Sequence, residues 1–346
     1  MTASIALARA GVECTIAEID TVWAPAGIGI GLQSPPLRAL KAIDLFDDVV
    51  AVGHPTPQID MLRADGTPIM QMPQVNVNGP GDPPFVTMPR RALHEVLARR
   101  LRDLGVEVRL GTTIASLDEA EDYDLVVGAD GLHSSVRPMI LPDAPAPEYA
   151  GQVIWRIGCR APEALERYTM MIAGPTRIGL VPLGGGELYL WMLDGTLPPQ
   201  RPPRDAILGL FQERLAAYAG VVPEIAAQIT EPEQVDFRDL QWLLVPPPWH
   251  RGKALLLGDA AHTTTPHMAF GVGLAIEDAV VLGELVAQGF DGDELGDRYA
   301  ARRIDRCRLV VENSLQLSRW EQEPGPPNPA AGQLIGESFA ALAQPI

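Results

Sequence analysis

Gly258-Asp259-Ala260-Ala261-His262 directly follows the apolar run Lys253-Ala254-Leu255-Leu256-Leu257, which reads as a buried strand. Pro266-His267-Met268-Ala269-Phe270-Gly271-Val272-Gly273 comes next, and then a helical pattern containing Glu277-Asp278-Ala279. A carboxylate at the C-terminal end of a strand can accept hydrogen bonds from a ribitol or ribose hydroxyl. The small residues beside Asp259 let backbone approach a flat ring. Gly271, Val272 and Gly273 precede the helix, where free N–H groups and the positive end of the dipole suit a phosphate or an electron-rich carbonyl. The same residues also read as a strand-turn-helix whose glycines serve tight packing.

Three further sites have the same character. Asp124-Leu125-Val126-Val127-Gly128-Ala129-Asp130-Gly131, continuing to Arg137, is an apolar strand pattern ending in a carboxylate, a glycine, hydroxyls and an arginine. It places Asp130 beside a ligand or, structurally, as the cap of the next turn with Arg137 paired to it. Arg90 opens an amphipathic helix and is either an anion contact or one more solvated arginine. Glu18 ends a short strand, where an acid can accept from the ribose of a dinucleotide. In such units a glycine loop lies roughly 20 residues earlier, which here falls before Met1.

These residues need particular elements to hold them. Residues 3–10 predict a helix stopped at Gly11, and Val12–Ala17 a strand. Pro35–Val50 predicts one helix with Leu37, Leu40, Ile43, Leu45 and Phe46 inward. Residues 57–72 and 82–88 read as strands around the Asp65-Gly66 turn. Residues 90–104 form a helix that buries Leu93, Val96, Leu97 and Leu101, and Val106–Leu110 a strand. From about 148 to 245 alternating segments predict an antiparallel sheet, interrupted by a helix at 204–219. Helices at about 274–288 and 293–319 close the chain before a surface tail containing Pro324-Gly325-Pro326-Pro327. The order is βα units, an antiparallel insert, and a return to βα units. It implies an α/β fold in which a parallel nucleotide-binding sheet is interrupted by a sheet that covers the substrate.

Composition excludes several classes of function. The chain has 346 residues and a formal charge of −17. An acidic surface repels phosphate backbones, which argues against nucleic-acid partners. The three cysteines, Cys14, Cys159 and Cys307, are dispersed and unpaired in pattern. Neither a disulfide framework nor a metal site is expected, and a cytoplasmic location fits. Cys14 reads as a small core residue. No apolar run approaches the ~20 residues of a membrane span, and the opening residues lack the features of a secretory signal.

Taken in order, these motifs resemble the FAD-dependent aromatic hydroxylase family, in its salicylate hydroxylase-like branch. Ile5 to Glu18 resembles the family's first helix and ribose acid, and Ala26-Gly27-Ile28-Gly29-Ile30-Gly31-Leu32 its next loop. Arg90, Leu93 and His94 are similar to its flavin-contacting arginine motif. Asp130-Gly131 to Arg137 is similar to its DG motif, Gly258-Asp259 to Asp278 to its GD motif, and Tyr299, Arg303 and Arg306 to its C-terminal helix. The resemblance implies a glutathione-reductase-like FAD-binding domain (1–53, 90–147, 246–320), a substrate domain (54–89, 148–245) and a C-terminal tail (321–346). It implies bound FAD, NAD(P)H as reductant, and oxygen transfer from a flavin C4a-hydroperoxide to a small aromatic or heteroaromatic substrate.

By the same resemblance Asp259 holds the ribitol, Arg90 the pyrophosphate side, Glu18 the adenosine ribose, and the amides from Gly271 through Val272 to Gly273 the flavin edge. Asp130 is expected to touch FAD and NAD(P)H, and Pro266 to lie beside the flavin. Trp155 is expected to wall the pocket, while Arg156 either binds an acidic ring substituent or forms a structural ion pair. His262 and His267 are each a base or a loop-ordering hydrogen bond. Tyr168, Met170, Met171, Tyr189 and Trp191 are read mostly as sheet packing, with a minority lining the pocket. A homodimer is compatible. The first strand and glycine loop of the nucleotide-binding unit are expected to be missing, so the alternative is a truncated or decayed, non-catalytic relative that holds FAD weakly. A flavoprotein reductase or halogenase on the same scaffold is the third reading.

Overall fold

The computed structural model describes residues 1–325 and 328–346. In chain order its elements begin with α1 (Thr2–Arg9), β1 (Thr15–Glu18), β2 (Gly29–Gln33), α2 (Ser34–Lys41), α3 (Phe46–Val52), β3 (His54–Pro55), β4 (Gln58–Arg63), β5 (Pro68–Pro73) and β6 (Phe85–Pro89). They continue with α4 (Arg90–Asp103), β7 (Glu107–Leu110), β8 (Val126–Gly128), α5 (Val136–Ile140), β9 (Glu148–Arg160), β10 (Thr169–Ala173), β11 (Thr176–Gly184) and β12 (Glu187–Asp194). The last group is α6 (Arg204–Leu215), α7 (Val222–Ala226), β13 (Asp236–Trp242), β14 (His250–Arg251), β15 (Ala254–Leu256), α8 (Gly271–Ala287), α9 (Gly292–Gln322) and α10 (Ala330–Leu342).

The apolar run at 254–256 and the run at 126–128 pair in parallel as β15 and β8, with β14 antiparallel at the outer edge. β1 pairs in parallel with β7. Among the described residues no strand bridges β1 and β8. The larger sheet has the order β13-β9-β12-β11-β10-β4-β5 and is antiparallel except where β10 meets β4. This is the mostly antiparallel layer that alternation in the sequence predicts. A small antiparallel sheet, β2-β6-β3, is hydrogen-bonded separately and packs against it through Phe85. β2 arises from a segment read as a loop in the sequence.

Side-chain alternation gives the large sheet two unlike faces. Trp155, Ile157, Ile178, Leu180, Leu190 and Met192 pack with Phe211 and Ile225 of α6 and α7 into one core. The opposite face carries Tyr168, Val181, Tyr189 and Trp191 and packs against Phe85. α8 is buried along most of its length, and it packs with α9 and β15 into a second core.

Two expectations are corrected. The helix predicted from Pro35 to Val50 is two helices, because Asp44 takes the left-handed conformation (φ 53°). That break lets both Leu45 and Phe46 reach the core, where Leu37, Leu40 and Ile43 are buried as predicted. The tail is not only a surface wrap. It forms α10, whose C-terminal carbonyls receive the Arg306 guanidinium. Pro326 and Pro327 lie outside the described residues.

Candidate active site

A cavity of about 550 Å³ opens where α8, the loop before it, β2 and the large sheet meet. One side of it is polar. β15 delivers the chain into a single turn over Gly258–Ala260, with Gly258 at φ 66°, a conformation glycine adopts without steric penalty. The Gly258 N–H donates to Asp278 Oδ2 (3.0 Å), which fixes the turn. Asp259 then faces the cavity, and its carboxylate has no hydrogen-bond partner among the described residues. The carboxylate is reached from the cavity yet ringed by protein. Burial raises its pKa, and His262 and Arg90 oppose that rise.

α8 begins at Gly271, three residues before the sequence pattern becomes regular. Phe270 sits at the cap and offers no side-chain acceptor, and the first turn carries no acid. The first described intrahelical donor is Leu274 N–H to Phe270 O (2.9 Å). The N–H groups of Gly271, Val272 and Gly273 have no described partner, and the first two residues line the cavity.

Arg90 enters from the first residue of α4, anchored by its N–H to Ile28 O (2.9 Å). A Cβ on Gly27 would sit 2.8 Å from Arg90 Cδ, so the glycine is what lets the side chain pass. The guanidinium has no described partner. Burial, and then Arg156, lower its pKa.

Pro266 also lines the cavity, and its carbonyl accepts Ala269 N–H (2.9 Å) within its own turn. Ala269 is left-handed (φ 51°) without being glycine, a strained conformation of the kind that clusters at ligand-contacting loops.

The other residues singled out in the sequence are placed differently. The Asp130 carboxylate is occupied as a cap, accepting from Ser134 Oγ (2.5 Å), Ser135 N (2.7 Å) and Val136 N (3.1 Å). Its neighbours Ala129 and Gly131 line the cavity instead. Arg137 does not pair with it but donates to the carbonyls of Ala260 (3.0 Å) and Leu132 (2.8 Å), tying the two motif loops together. Glu18 stands at the end of β1 and is absent from the cavity wall. There it accepts Asp20 N–H (3.0 Å).

His262 is not brought to the cavity. It is fully buried, with Nε2 2.7 Å from Asp278 Oδ2 and its ring against Trp249. Asp278 also receives Arg303 Nε (2.7 Å), and Arg303 reaches Glu277 (3.1 Å), which Arg306 grips through two contacts (2.6 and 2.7 Å). His262, Asp278 and Cys307 have ligand atoms within 4.8 Å of one another, but Arg303 supplies the positive charge there. The network locks α8 to α9 behind the cofactor loop. His267 orders that same loop, with Nδ1 3.0 Å from Thr265 Oγ1 and Nε2 3.2 Å from Glu321.

Trp155 does not wall the pocket. It faces the other side of the sheet, stacked on Phe211 and edge-on to Phe237. Arg156 takes the ion-pair reading, with Nη2 2.5 Å from Asp236 Oδ2. The wall is instead formed by Tyr168, Tyr189 and Trp191 together with Phe85, Val181 and Leu193. Three of these rings lie directly over glycines. A Cβ on Gly179 would approach the Trp191 indole to 2.2 Å, one on Gly31 the Phe85 ring to 2.5 Å, and one on Gly29 Tyr189 to 2.7 Å. A glycine inside a strand marks such close approaches, so Gly179 was the available signal for which of the aromatic residues, read mostly as packing, form the wall.

The arrangement fits a flavin dinucleotide. It offers an open helix N-terminus, an unpartnered carboxylate and an unpartnered guanidinium around one chamber. A family model described as a FAD binding domain matches residues 1–314. The chain belongs to the FAD-dependent aromatic hydroxylase family. It is a FAD-dependent monooxygenase by class, and FAD is its cofactor. It is 32% identical over 338 residues to the aurachin C monooxygenase/isomerase of Stigmatella aurantiaca, covering 93% of this chain and 87% of that one. It is 28% identical over 336 residues to the FAD-dependent urate hydroxylase of Klebsiella oxytoca, covering 90% and 85%. The structure of Klebsiella pneumoniae HpxO complexed with FAD and uric acid superposes with a TM-score of 0.81 at 24% identity, over 99% of this chain and 89% of that chain. That likeness is one of fold. No helix among the described residues is long and apolar enough to cross a membrane.

Proposed function

We propose that this monooxygenase hydroxylates a small aromatic or heteroaromatic substrate, drawing electrons from NAD(P)H and oxygen from O2. One observation carries the reading: a single chamber joins a polar side suited to a flavin dinucleotide to a side built of aromatic and aliphatic side chains. Bound FAD would supply the hydride acceptance and oxygen activation that no side chain here can perform. The relatives named above act, by name, on aurachin C and urate, which are substrates of those proteins.

The chain's own residues bind, orient and exclude water. Asp259 would accept from ribitol hydroxyls and Arg90 would neutralise the pyrophosphate side. The free amides of Gly271, Val272 and Gly273 would face the flavin edge, where negative charge develops on reduction. Glu18 would serve the adenosine ribose from the end of β1, and Ala129 and Gly131, flanking the occupied Asp130, would let backbone approach the cofactor. Pro266 would border the reacting edge. The aromatic wall keeps bulk water from the reacting centre. His262 and Arg156 act at one remove, by holding Asp278 and Asp236.

The test is to load the purified chain with FAD and supply NADH or NADPH with candidate phenols and hydroxylated heteroarenes. Reductant oxidation matched by a product heavier by one oxygen is expected. A chain that acquires no flavin absorbance after added FAD refutes the proposal. Reductant consumption ending only in hydrogen peroxide across the panel points to a reductase instead.

A further inference from the structure

The ring side of the chamber has no free charge. Among the residues lining the cavity the charged side chains are Arg90 and Asp259, both on the polar side, which Met1 with its α-amino group also borders. Two cations beside the aromatic wall are already committed. Arg156 is paired to Asp236 at 2.5 Å. Arg177 is paired to Glu321 at 2.7 Å and lies 5.5 Å from the centre of the Trp191 ring. A carboxylate placed against this wall would lose its water without gaining a counter-ion from the wall itself, which disfavours it.

Two hydroxyls on the wall, those of Tyr168 and Tyr189, have no described acceptor, and Tyr168 is the one whose oxygen is held in place. The Tyr168 oxygen accepts Trp191 Nε1–H (3.2 Å), and its own proton has no described acceptor. Burial pushes the Tyr168 pKa up to about 12, so the hydroxyl stays protonated. Thr87 is not available in the same way, because its hydroxyl is held by Pro182 O at 2.6 Å.

We infer that the ring site takes an uncharged planar arene bearing one oxygen that accepts from the Tyr168 hydroxyl, and that it rejects aryl carboxylates. The inference rests on the monooxygenase reading above for what happens to the ring. It assigns the ligand from the walls alone. Tyr168 is a specificity residue here: it donates to the oxygen while Phe85 and Trp191 hold the plane.

A matched pair tests it: 4-hydroxyquinoline, which is neutral, and 4-hydroxyquinoline-2-carboxylate, which differs by one charge. Equilibrium dialysis on the full chain, with and without added FAD, measures both. The neutral compound is expected to bind at least tenfold more tightly in the FAD-loaded chain, where the cofactor would cover Arg90 and the N-terminus of α8. Tyr168→Phe is expected to weaken the neutral compound five- to tenfold and leave the carboxylate unchanged. Equal or tighter binding of the carboxylate to the FAD-loaded chain overturns the inference, as does failure of both to bind. An unchanged affinity in the Tyr168→Phe chain overturns the role of that hydroxyl. FAD uptake is read separately by flavin absorbance. If flavin is not taken up, the proposed function fails while the neutral compound on the parent and Tyr168→Phe chains still reads the ring site; if flavin is taken up and the carboxylate preferred, only this inference falls.

Discussion

Asp259→Ala should weaken FAD binding without weakening the fold. The Asp259 carboxylate faces the cavity and holds no described protein partner, so its removal leaves no buried donor unpaired. Burial raises its pKa, which means the folded chain holds the ionised form at a disadvantage. A raised carboxylate pKa gives a stability contribution that is present at low pH and lost as pH rises through the folded value. Above that folded value the contribution is gone, so there the FAD-free Asp259→Ala chain should melt at the same temperature as the parent or slightly higher. Cofactor affinity should move the other way. A hydrogen bond to a charged group contributes ~1.5–3 kcal/mol, and one or two hydroxyl donors on this carboxylate amount to ~2–4 kcal/mol, a ~30- to 1,000-fold rise in the FAD dissociation constant. Flavin fluorescence titration measures the affinity, and thermal melting without FAD measures the fold. A dissociation constant within threefold of the parent refutes the assignment. A parallel fall in melting temperature would make Asp259 a structural residue instead.

Other consequences concern the elements around the chamber. Arg303→Met leaves Asp278 and Glu277 short of their shared cation in a site with no solvent access, and should cost ~3–5 kcal/mol in urea unfolding; a loss below ~1 kcal/mol would show the network to be dispensable. His262 and Arg303 hold the Asp278 pKa down to about 2. Its lowered value contributes stability above the ordinary carboxylate range that disappears as pH falls toward 2. Asp278→Asn should therefore be less stable at pH 7 but lose less stability between pH 4 and pH 2 than the parent, as urea midpoints across that window would report. Gly179→Ala forces a methyl into the Trp191 indole and should displace that ring into the chamber. Ring-ligand affinity is then expected to fall tenfold or more with FAD absorbance retained, and unchanged ligand binding would mean that Trp191 can move elsewhere.

Much of the polar side of the site could be read without coordinates, because its features are local in the chain. An apolar strand followed at once by Gly258-Asp259, and a glycine pair opening a helix, fix both a carboxylate and free amides within one loop. The helix that carries Arg90 is equally local, with Leu93, Val96, Leu97 and Leu101 setting its buried face. The strand alternation that announced an antiparallel layer also held, since each face of a sheet is a period-two property of its own strand.

What tertiary structure alone decided is which long-range partners each group meets. Periodicity cannot see that Asp44 turns left-handed, so one predicted helix became two. Alternation puts Trp155 and Arg156 on opposite faces, but not which face sees the cavity. Packing against Phe211 and Phe237 settled that for Trp155, and Asp236, 80 residues away, claimed Arg156. His262 lies only three residues from Asp259, yet contact with Asp278 draws it into the ion network behind the loop. Tyr168, Tyr189 and Trp191 looked like packing because strand patterns do not distinguish a side chain against protein from one against a cavity. Their role follows from β6, β11 and β12 converging on one space, with glycines opposite the rings. Local chemistry is written in neighbouring residues, whereas the walls of a chamber are assembled from segments that meet only when the chain is folded.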